Sequence, residues 1–492
     1  MKNMKPFQFI GREVEMNRLK GLLEKNSASL IVVRGRRRIG KSRLLAEFGK
    51  DMKSFYFTGT PPHQKTTAEL QREEFARQLE RQGIPGIKSD DWGNLFWHFS
   101  KHIPTGRVLI VFDEIAWMGG KDFEFLGKLK NAWDLYFSKN PFLILVLCGS
   151  VSSWIENNIL KSSGFVGRVT IDLVLKELPL NVCNAFWTPK EQRISAYEKF
   201  KLLSVTGGVP LYLEHIKPHI SAEQNIHNLC FMSGGLLVRE FDEIFSDLFA
   251  RSNESHKEIV SCLINGPKDL AQICKKLKKK EGGTSSRQLD ELVKAGFVQR
   301  DFTWDLKSGQ EGKLSRYRLS DNYLRFYLKY IAPHRSKIEN DTFSNSIFTH
   351  LPAWETIMGL QFENLITNNR KLLWHIMDIA PEEVLMDGPF FQNPTARQPG
   401  CQIDYMIHSR FNNLYVFEVK FSKNPIGIEI IKELEAKRKR LKTPKFCTFR
   451  PVLIHVSGVQ ESVLDENYFD KIIDFGEFLH TKFRSPDLAE QT

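Results

Sequence analysis

Three stretches of the chain are apolar at every position rather than at alternate ones: 30–33 (LIVV), 108–112 (VLIVF) and 143–147 (LILVL). A strand buried on both faces gives this pattern, whereas a strand wet on one face alternates. Each run therefore predicts a central strand of a parallel sheet. The first leads through a turn into RLLAEF, whose spacing predicts a helix, and it follows a short amphipathic segment carrying Val14, Leu19, Leu22 and Leu23. Further on the period lengthens. Ile259, Val260, Leu263 and Ile264 predict a helix over 255–264, and a second over 269–277 opens on Asp269 as N-cap. A third, over 284–295 (TSSRQLDELVKA), has a Thr or Ser as its cap. Phe297-Val298 and Tyr317-Arg318-Leu319 read as paired strands around a polar tip. Tyr323, Phe326, Tyr327 and Tyr330 have the spacing of a core-facing helix. The last third offers an amphipathic helix over 359–366, strands over 402–407 and 414–420 joined by 409–413, and a basic helix over 429–442.

The turn after the first strand carries chemistry. Gly35, Arg36, Arg37, Arg38, Ile39, Gly40, Lys41 and Ser42 spell G-x-x-x-x-G-K-[ST] between a strand and a helix, which is a P-loop. Glycines let backbone N–H groups curl around a polyphosphate, and the helix N-terminus adds its positive dipole end. Lys41 supplies charge to the β- and γ-phosphates, and Ser42 a hydroxyl to Mg²⁺. The second run ends in Asp113-Glu114, where ligands bind in open α/β sheets. Asp113 is placed to hold Mg²⁺ and Glu114 to orient or deprotonate the attacking water. The third run ends in Cys148-Gly149-Ser150. Ser150 is either a γ-phosphate neighbour or a strand-end turn serine. Arg168 follows Gly167 in a turn and reads either as a surface arginine or as an arginine finger. Residues 206–212 (TGGVPLY) look like a tight turn opening a helix.

Taken in order, FIGRE, GRRRIGKS, VFDE, CGS, the Gly167-Arg168 pair and TGGVPLYL resemble the prokaryotic ATPases of the AAA+/STAND kind. The resemblance implies ATP and Mg²⁺ as cofactors, a γ-phosphate-sensing role for Arg168, and a place near the base or sensor helix for Gly208 to Pro210. It extends to a carboxy-terminal domain like a restriction endonuclease.

The middle segment, with three helices and two paired strands, matches a winged helix-turn-helix. Its third helix would enter a major groove with Ser285, Ser286, Arg287 and Gln288 facing outward. The five lysines over 275–280 would meet phosphates. A rigid spacer with solvated lysines accounts for the same sequence. In the last segment, Asp404 lies on one strand of a hairpin and Glu418 on the other. Glu418 and Lys420, two apart, share a face. This D…E-x-K arrangement, with Glu363 on the preceding helix, resembles the PD-(D/E)XK nucleases. That resemblance gives a divalent ion to Asp404 and Glu418, an assisting role to Glu363, and to Lys420 the task of activating water and steadying charge. An exposed cross-strand ion pair is the plainer account of Glu418 and Lys420.

Composition narrows the setting. The 492 residues are 41% hydrophobic and 26% charged, an ordinary globular balance. The net charge of +12 favours a polyanionic partner. Seven scattered cysteines, none in a C-x-x-C pair, indicate neither a disulfide framework nor a zinc site. The start, MKNMKPFQFIGRE, lacks the apolar core of a secretory signal, and no run is long enough to span a bilayer. A cytoplasmic α/β protein is expected, with three parts. These are a P-loop ATPase with a parallel sheet core and helical lid over 1–225, a winged helix over 226–335, and a small restriction-endonuclease-like α/β domain over 336–492. Its partners would be ATP and DNA, with no membrane, and self-association is open. The expected function is ATP binding and hydrolysis that regulates a DNA-directed, Mg²⁺-dependent nuclease. The alternative is an ATP-dependent switch whose last domain binds nucleic acid without cutting it.

Overall fold

The computed structural model describes residues 9–61, 66–88, 91–150, 153–187, 193–249, 253–343, 351–396 and 399–482. They form two compact units that divide between Glu177 and Leu178.

In chain order the first unit contains α1 (Glu13–Lys20), β1 (Ser29–Gly35), α2 (Lys41–Phe48), β2 (Lys53–Thr58), β3 (Val108–Asp113), α3 (Phe125–Leu135), β4 (Leu143–Gly149) and β5 (Val169–Leu175). The five strands are parallel in the order β2-β3-β4-β1-β5. The three apolar runs are thus the three interior strands. Side chains alternate along them, so Leu30 and Val32 enter one apolar cluster while Ile31 and Val33 enter another with Leu44 and Leu45 of α2. A core on each face leaves no polar position. The edges behave differently. In β2, Phe55 and Phe57 are buried but Tyr56 is 39% exposed. Across the other edge Arg34 of β1 forks the Asp172 carboxylate of β5 at 2.8 and 2.6 Å.

The second unit holds α4 (Ala196–Thr206), α5 (Pro210–Glu214), α6 (Asn253–Cys262), α7 (Leu270–Leu277), α8 (Gly283–Lys294), β6 (Val298–Trp304), β7 (Glu311–Leu319), α9 (Asn322–Phe326), α10 (Trp354–Asn368), β8 (Val384–Gln392), β9 (Cys401–Ser409), β10 (Asn413–Lys420), α11 (Glu429–Arg440), β11 (Thr448–His455) and β12 (Lys471–Asp474). The α4–α5 turn needs its glycines. Gly207 has φ +56°, and a Cβ on Gly208 would come within 2.1 Å of the Leu178 carbonyl oxygen. Pro210 then opens α5, where its missing N–H costs nothing.

The three helices and the antiparallel β6–β7 pair of the middle segment occur in the expected order, with Val298 opposite Leu319. Asp269 caps α7 reciprocally with Gln272. Two details differ from expectation. Helix α8 is preceded by Gly282 with no side-chain cap, and Ser285 and Gln288 face inward, 7% and 8% exposed. The reason is periodic: positions 285, 288, 289 and 292 share one helical face, and Leu289 and Leu292 pull it into the core. Gln288 Nε2 donates to Ser255 Oγ on α6 at 2.6 Å, and of the four residues 285–288 Arg287 alone is exposed. The aromatic run Tyr323, Phe326, Tyr327 and Tyr330 is buried, as its spacing requires.

The last five strands form a mixed sheet, β12-β11-β10-β9-β8, antiparallel through β8–β9–β10 and parallel through β10–β11–β12. One apolar cluster gathers side chains from Leu178 to Leu479, joining α4 and α5, the middle helices and this sheet. All seven cysteines are free thiols, buried except Cys447. Among the described residues no helix is long and apolar enough to cross a membrane.

Candidate functional site

Two groups of polar side chains converge, one in each unit. In the first, β1 ends at Gly35, where a Cβ would meet the Leu175 carbonyl at 2.8 Å. Arg38 (φ +67°) and Gly40 (φ +91°) are left-handed, curling the loop before α2 begins at Lys41. Lys41 is 7% exposed and its Nζ donates to the carbonyls of Gly35 and Arg36 at 3.1 and 3.3 Å. Ser42 Oγ donates to Asp113 Oδ2 at 2.9 Å, so the start of α2 and the tip of β3 meet. The Asp113 carboxylate also takes the Glu114 N–H at 3.0 Å. Glu114, with φ +50°, turns the chain into the following short helix.

The surroundings brace this loop. Ile39 is fully buried in the cluster behind it. Arg12, 7% exposed, donates to the Ile39 carbonyl at 2.9 Å, which gives the Gly11-Arg12-Glu13 segment a purpose the sequence alone did not show. Arg36 pairs with Glu177 at 3.1 Å. Beside Asp113, Cys148 is fully buried, and burial together with the Asp113 charge pushes its thiol far up and keeps it neutral. Ser150 follows β4, which runs between β1 and β3.

Arg168 lies elsewhere. It directly precedes β5, and Val169 is in register with Leu30, the opening of β1, whereas the loop follows Gly35 at the other end. Five residues of strand separate the two rims by roughly 16 Å. The guanidinium forks Asp134 of α3 at 2.8 and 3.0 Å, and Lys130 joins the pair at 2.9 Å. A finger directed at the nucleotide of the same subunit is not what this geometry provides, because the register of β5 fixes Arg168 at the far edge.

In the second unit, β9 and β10 bring Asp404 beside Glu418, as the hairpin predicted. The ladder runs to Tyr405 opposite Phe417, and the next donor, the Val419 N–H, goes instead to Asp404 Oδ2 at 3.0 Å. Glu418 is 4% exposed. Burial, then the Asp404 charge, raises its carboxyl to about 7. Glu363 of α10 faces the same charges, and burial followed by Asp404 raises it to about 8. Helix α10 is clamped there: Arg325 Nη1 donates to Leu360 O at 3.0 Å and Gln361 Oε1 at 2.9 Å, and Arg318 Nη1 to Asn364 Oδ1 at 2.7 Å.

A residue the sequence reading overlooked completes the group. Lys437 of α11 places Nζ 2.5 Å from Glu418 Oε2 and 3.4 Å from Asp404 Oδ1. Although burial opposes its charge, the two carboxylates raise its ammonium above the ordinary range. Lys420 turns to Glu433, one turn earlier on α11, at 2.8 Å. The signal for Lys437 was available. Ile430, Leu434, Lys437 and Leu441 form one stripe, and the three apolar members are buried, so a lysine stands in an apolar slot. The Lys437 ammonium thus stands between Asp404 and Glu418. Among the described residues no three His, Cys, Asp or Glu side chains are grouped to hold a metal by themselves.

Residues 9–216 match the model of an ATPase domain found predominantly in Archaea. The uncharacterized protein MJECL04 of Methanocaldococcus jannaschii is 25% identical over 342 residues, 68% of this chain and 71% of that one. Among solved structures, the Walker-type ATPase paby2304 of Pyrococcus abyssi aligns at 16% identity and TM-score 0.49, over 66% of this chain and 99% of that one. The ORC2 protein of Aeropyrum pernix, solved as ADPNP–ADP complexes, aligns at 15% and 0.40, over 70% and 98%. With its loop and its parallel sheet, the amino-terminal part of the chain has a P-loop fold, and residues 9–216 of it match this ATPase domain.

Proposed function

We propose that the chain hydrolyses ATP at the loop of the first unit and that the nucleotide state regulates a Mg²⁺-dependent, DNA-directed nuclease site in the second. The observation that carries the first half is the meeting of Ser42 and Asp113 at 2.9 Å beside buried Lys41. A hydroxyl and a carboxylate at that separation are the oxygen ligands a hard divalent ion takes. Lys41, released from its two carbonyls, neutralises the β- and γ-phosphates, and the loop N–H groups of residues 35–42 hold them. Glu114 accepts the proton of the attacking water. Ser42 and Asp113 would hold a magnesium ion, which would supply positive charge against the terminal phosphates. Lys41→Ala is expected to lower the ATP hydrolysis rate a hundredfold or so, the scale of losing one aimed charge. A variant that turned over ATP at the normal rate would remove Lys41 from the site.

For the second half, Asp404 and Glu418 would share one divalent ion, which would polarise a phosphodiester oxygen. Lys420 steadies the developing negative charge, and Glu363 sets the field around the pair. The charge of +12 and the exposed lysines over 275–280 suit a nucleic-acid backbone, which the middle segment would contact as a winged helix. Purified protein incubated with DNA and Mg²⁺ or Mn²⁺ is expected to cut it, and Asp404→Ala and Lys420→Ala to stop the cutting.

One observation favours the second reading, a switch that binds without cleaving. Lys437 neutralises the carboxylates and Glu433 holds Lys420. No metal-dependent cutting in any nucleotide state, across single- and double-stranded DNA, would favour that reading instead.

A further inference from the structure

Helix α11 closes over the carboxylate pair with an ion-pair latch. Its inward stripe anchors it, with Ile430, Leu434 and Leu441 at most 5% exposed. From that stripe Lys437 reaches Glu418 and Asp404, while Glu433, four residues earlier, reaches Lys420. One helix face therefore engages three of the four residues proposed for phosphodiester chemistry. Each charge it presents is opposite to the one it meets.

We infer that Lys437 is a built-in plug of the divalent-cation site, so that a metal ion loads only when the ammonium leaves Asp404 and Glu418. This inference rests on the reading of that pair as a metal site. A divalent ion sits about 2.0–2.6 Å from its oxygen ligands. The ammonium already stands 2.5 Å from Glu418 Oε2 and touches Asp404 as well. Both cations cannot occupy that space, because at a few ångströms like charges repel strongly even in a screened protein interior. The lysine has a way out. Its side chain is 23% exposed and ends a four-carbon stem, so it can swing to solvent, whereas Glu418 at 6% cannot follow. Metal loading and release of the ammonium are then one event. Any contact that draws Lys437 outward, a nucleic-acid phosphate above all, favours loading. The latch thereby keeps the site inert until an anionic substrate arrives.

Mn²⁺ alone, titrated into the full chain and followed by electron paramagnetic resonance, tests this. Lys437→Gln and the size-matched Lys437→Met are expected to bind Mn²⁺ at least tenfold more tightly than wild type. Lys437→Arg, which keeps the charge, should stay near wild type. Lys439→Gln, an equal charge change at an exposed position of the same helix, should stay within twofold. Melting curves supply a second reading: Lys437→Gln loses stability without metal and regains it with Mn²⁺, which a lysine of purely structural value would not show. Equal or weaker Mn²⁺ binding by both neutral variants overturns the plug. Asp404→Asn separates that failure from a failure of the site. If binding is lost in Asp404→Asn yet indifferent to Lys437, the plug alone falls. If Asp404→Asn changes nothing in either background, the pair is not a metal site and both readings fall.

Discussion

At the residue scale, two turns that pair glycine with arginine, one over 35–42 and one at Gly167-Arg168, have different fates. The phosphate loop was legible because its chemistry is local: fixed spacing between Gly35, Gly40, Lys41 and Ser42, with a strand before and a helix after, leaves one geometry. Arg168 was not legible, because its position depends on which end of β1 the start of β5 meets, a long-range register that no local pattern states. A finger role for Arg168 would therefore require a second copy of the chain. From the far rim it lies roughly 16 Å from the loop of its own subunit. Arg168→Ala is expected to leave ATP hydrolysis unchanged at protein concentrations where the chain is monomeric. A loss that appears only as concentration rises would place the arginine across an interface, and a loss at every dilution would contradict the register argument. Removing the pair should cost little stability, since Arg168 and Asp134 are each 30% exposed and surface ion pairs contribute about 1 kcal/mol or less.

At the element scale, legibility followed burial. Interior strands β1, β3 and β4 announced themselves as unbroken apolar runs, whereas β2 and β5, the edges, alternate and pass for ordinary amphipathic sequence. Helix α8 shows the opposite failure: its polar Ser285 and Gln288 look solvent-facing until the period through Leu289 and Leu292 is followed. The polar clamp between β6, β7, α9 and α10 was invisible, since it assembles residues far apart in the chain. Arg318 Nε donates to Asp301 Oδ2 at 2.7 Å with both side chains under a tenth exposed, and its other arm holds Asn364. Arg318→Ala strands Asp301 in a buried setting and is expected to cost about 3–5 kcal/mol, read from the urea midpoint. Replacing both Arg318 and Asp301 with apolar residues should recover much of that loss. The carboxylates this clamp supports give a second check. Glu363 and Glu418 are raised in the fold to about 8 and about 7. The folded chain therefore binds protons that the unfolded chain has released once pH exceeds the ordinary carboxylate range. Stability must then fall as pH climbs from about 5 to 8 in metal-free buffer. Glu363→Gln should flatten the upper part of that decline, and an undiminished slope would show that Glu363 is not the group responsible.

At the scale of the whole molecule, each unit has apolar clusters of its own, and each has a ligand of different chemistry to test it. A ligand that binds only the folded form stabilises it by RT ln(1 + [L]/Kd), about 2.7 kcal/mol at a hundred times Kd. Differential scanning calorimetry of the full chain should accordingly resolve more than one transition, because two cores need not melt together. ATP with Mg²⁺ should raise the transition of the first unit, and Lys41→Ala should abolish that rise. The effect on the other transition decides whether the two sites communicate. Regulation of the carboxylate site by nucleotide requires a coupling free energy, and linkage makes it reciprocal. If ATP changes how readily Asp404 and Glu418 take Mn²⁺, then Mn²⁺ must change ATP affinity by the same factor. The expected result is that ATP shifts both transitions in wild type and neither in Lys41→Ala, with ATP affinity altered by Mn²⁺ only while Asp404 is present. Should each ligand move only its own transition, with affinities independent of one another, the chain would be two enzymes on one polypeptide, and nucleotide control of the second unit would have to be abandoned.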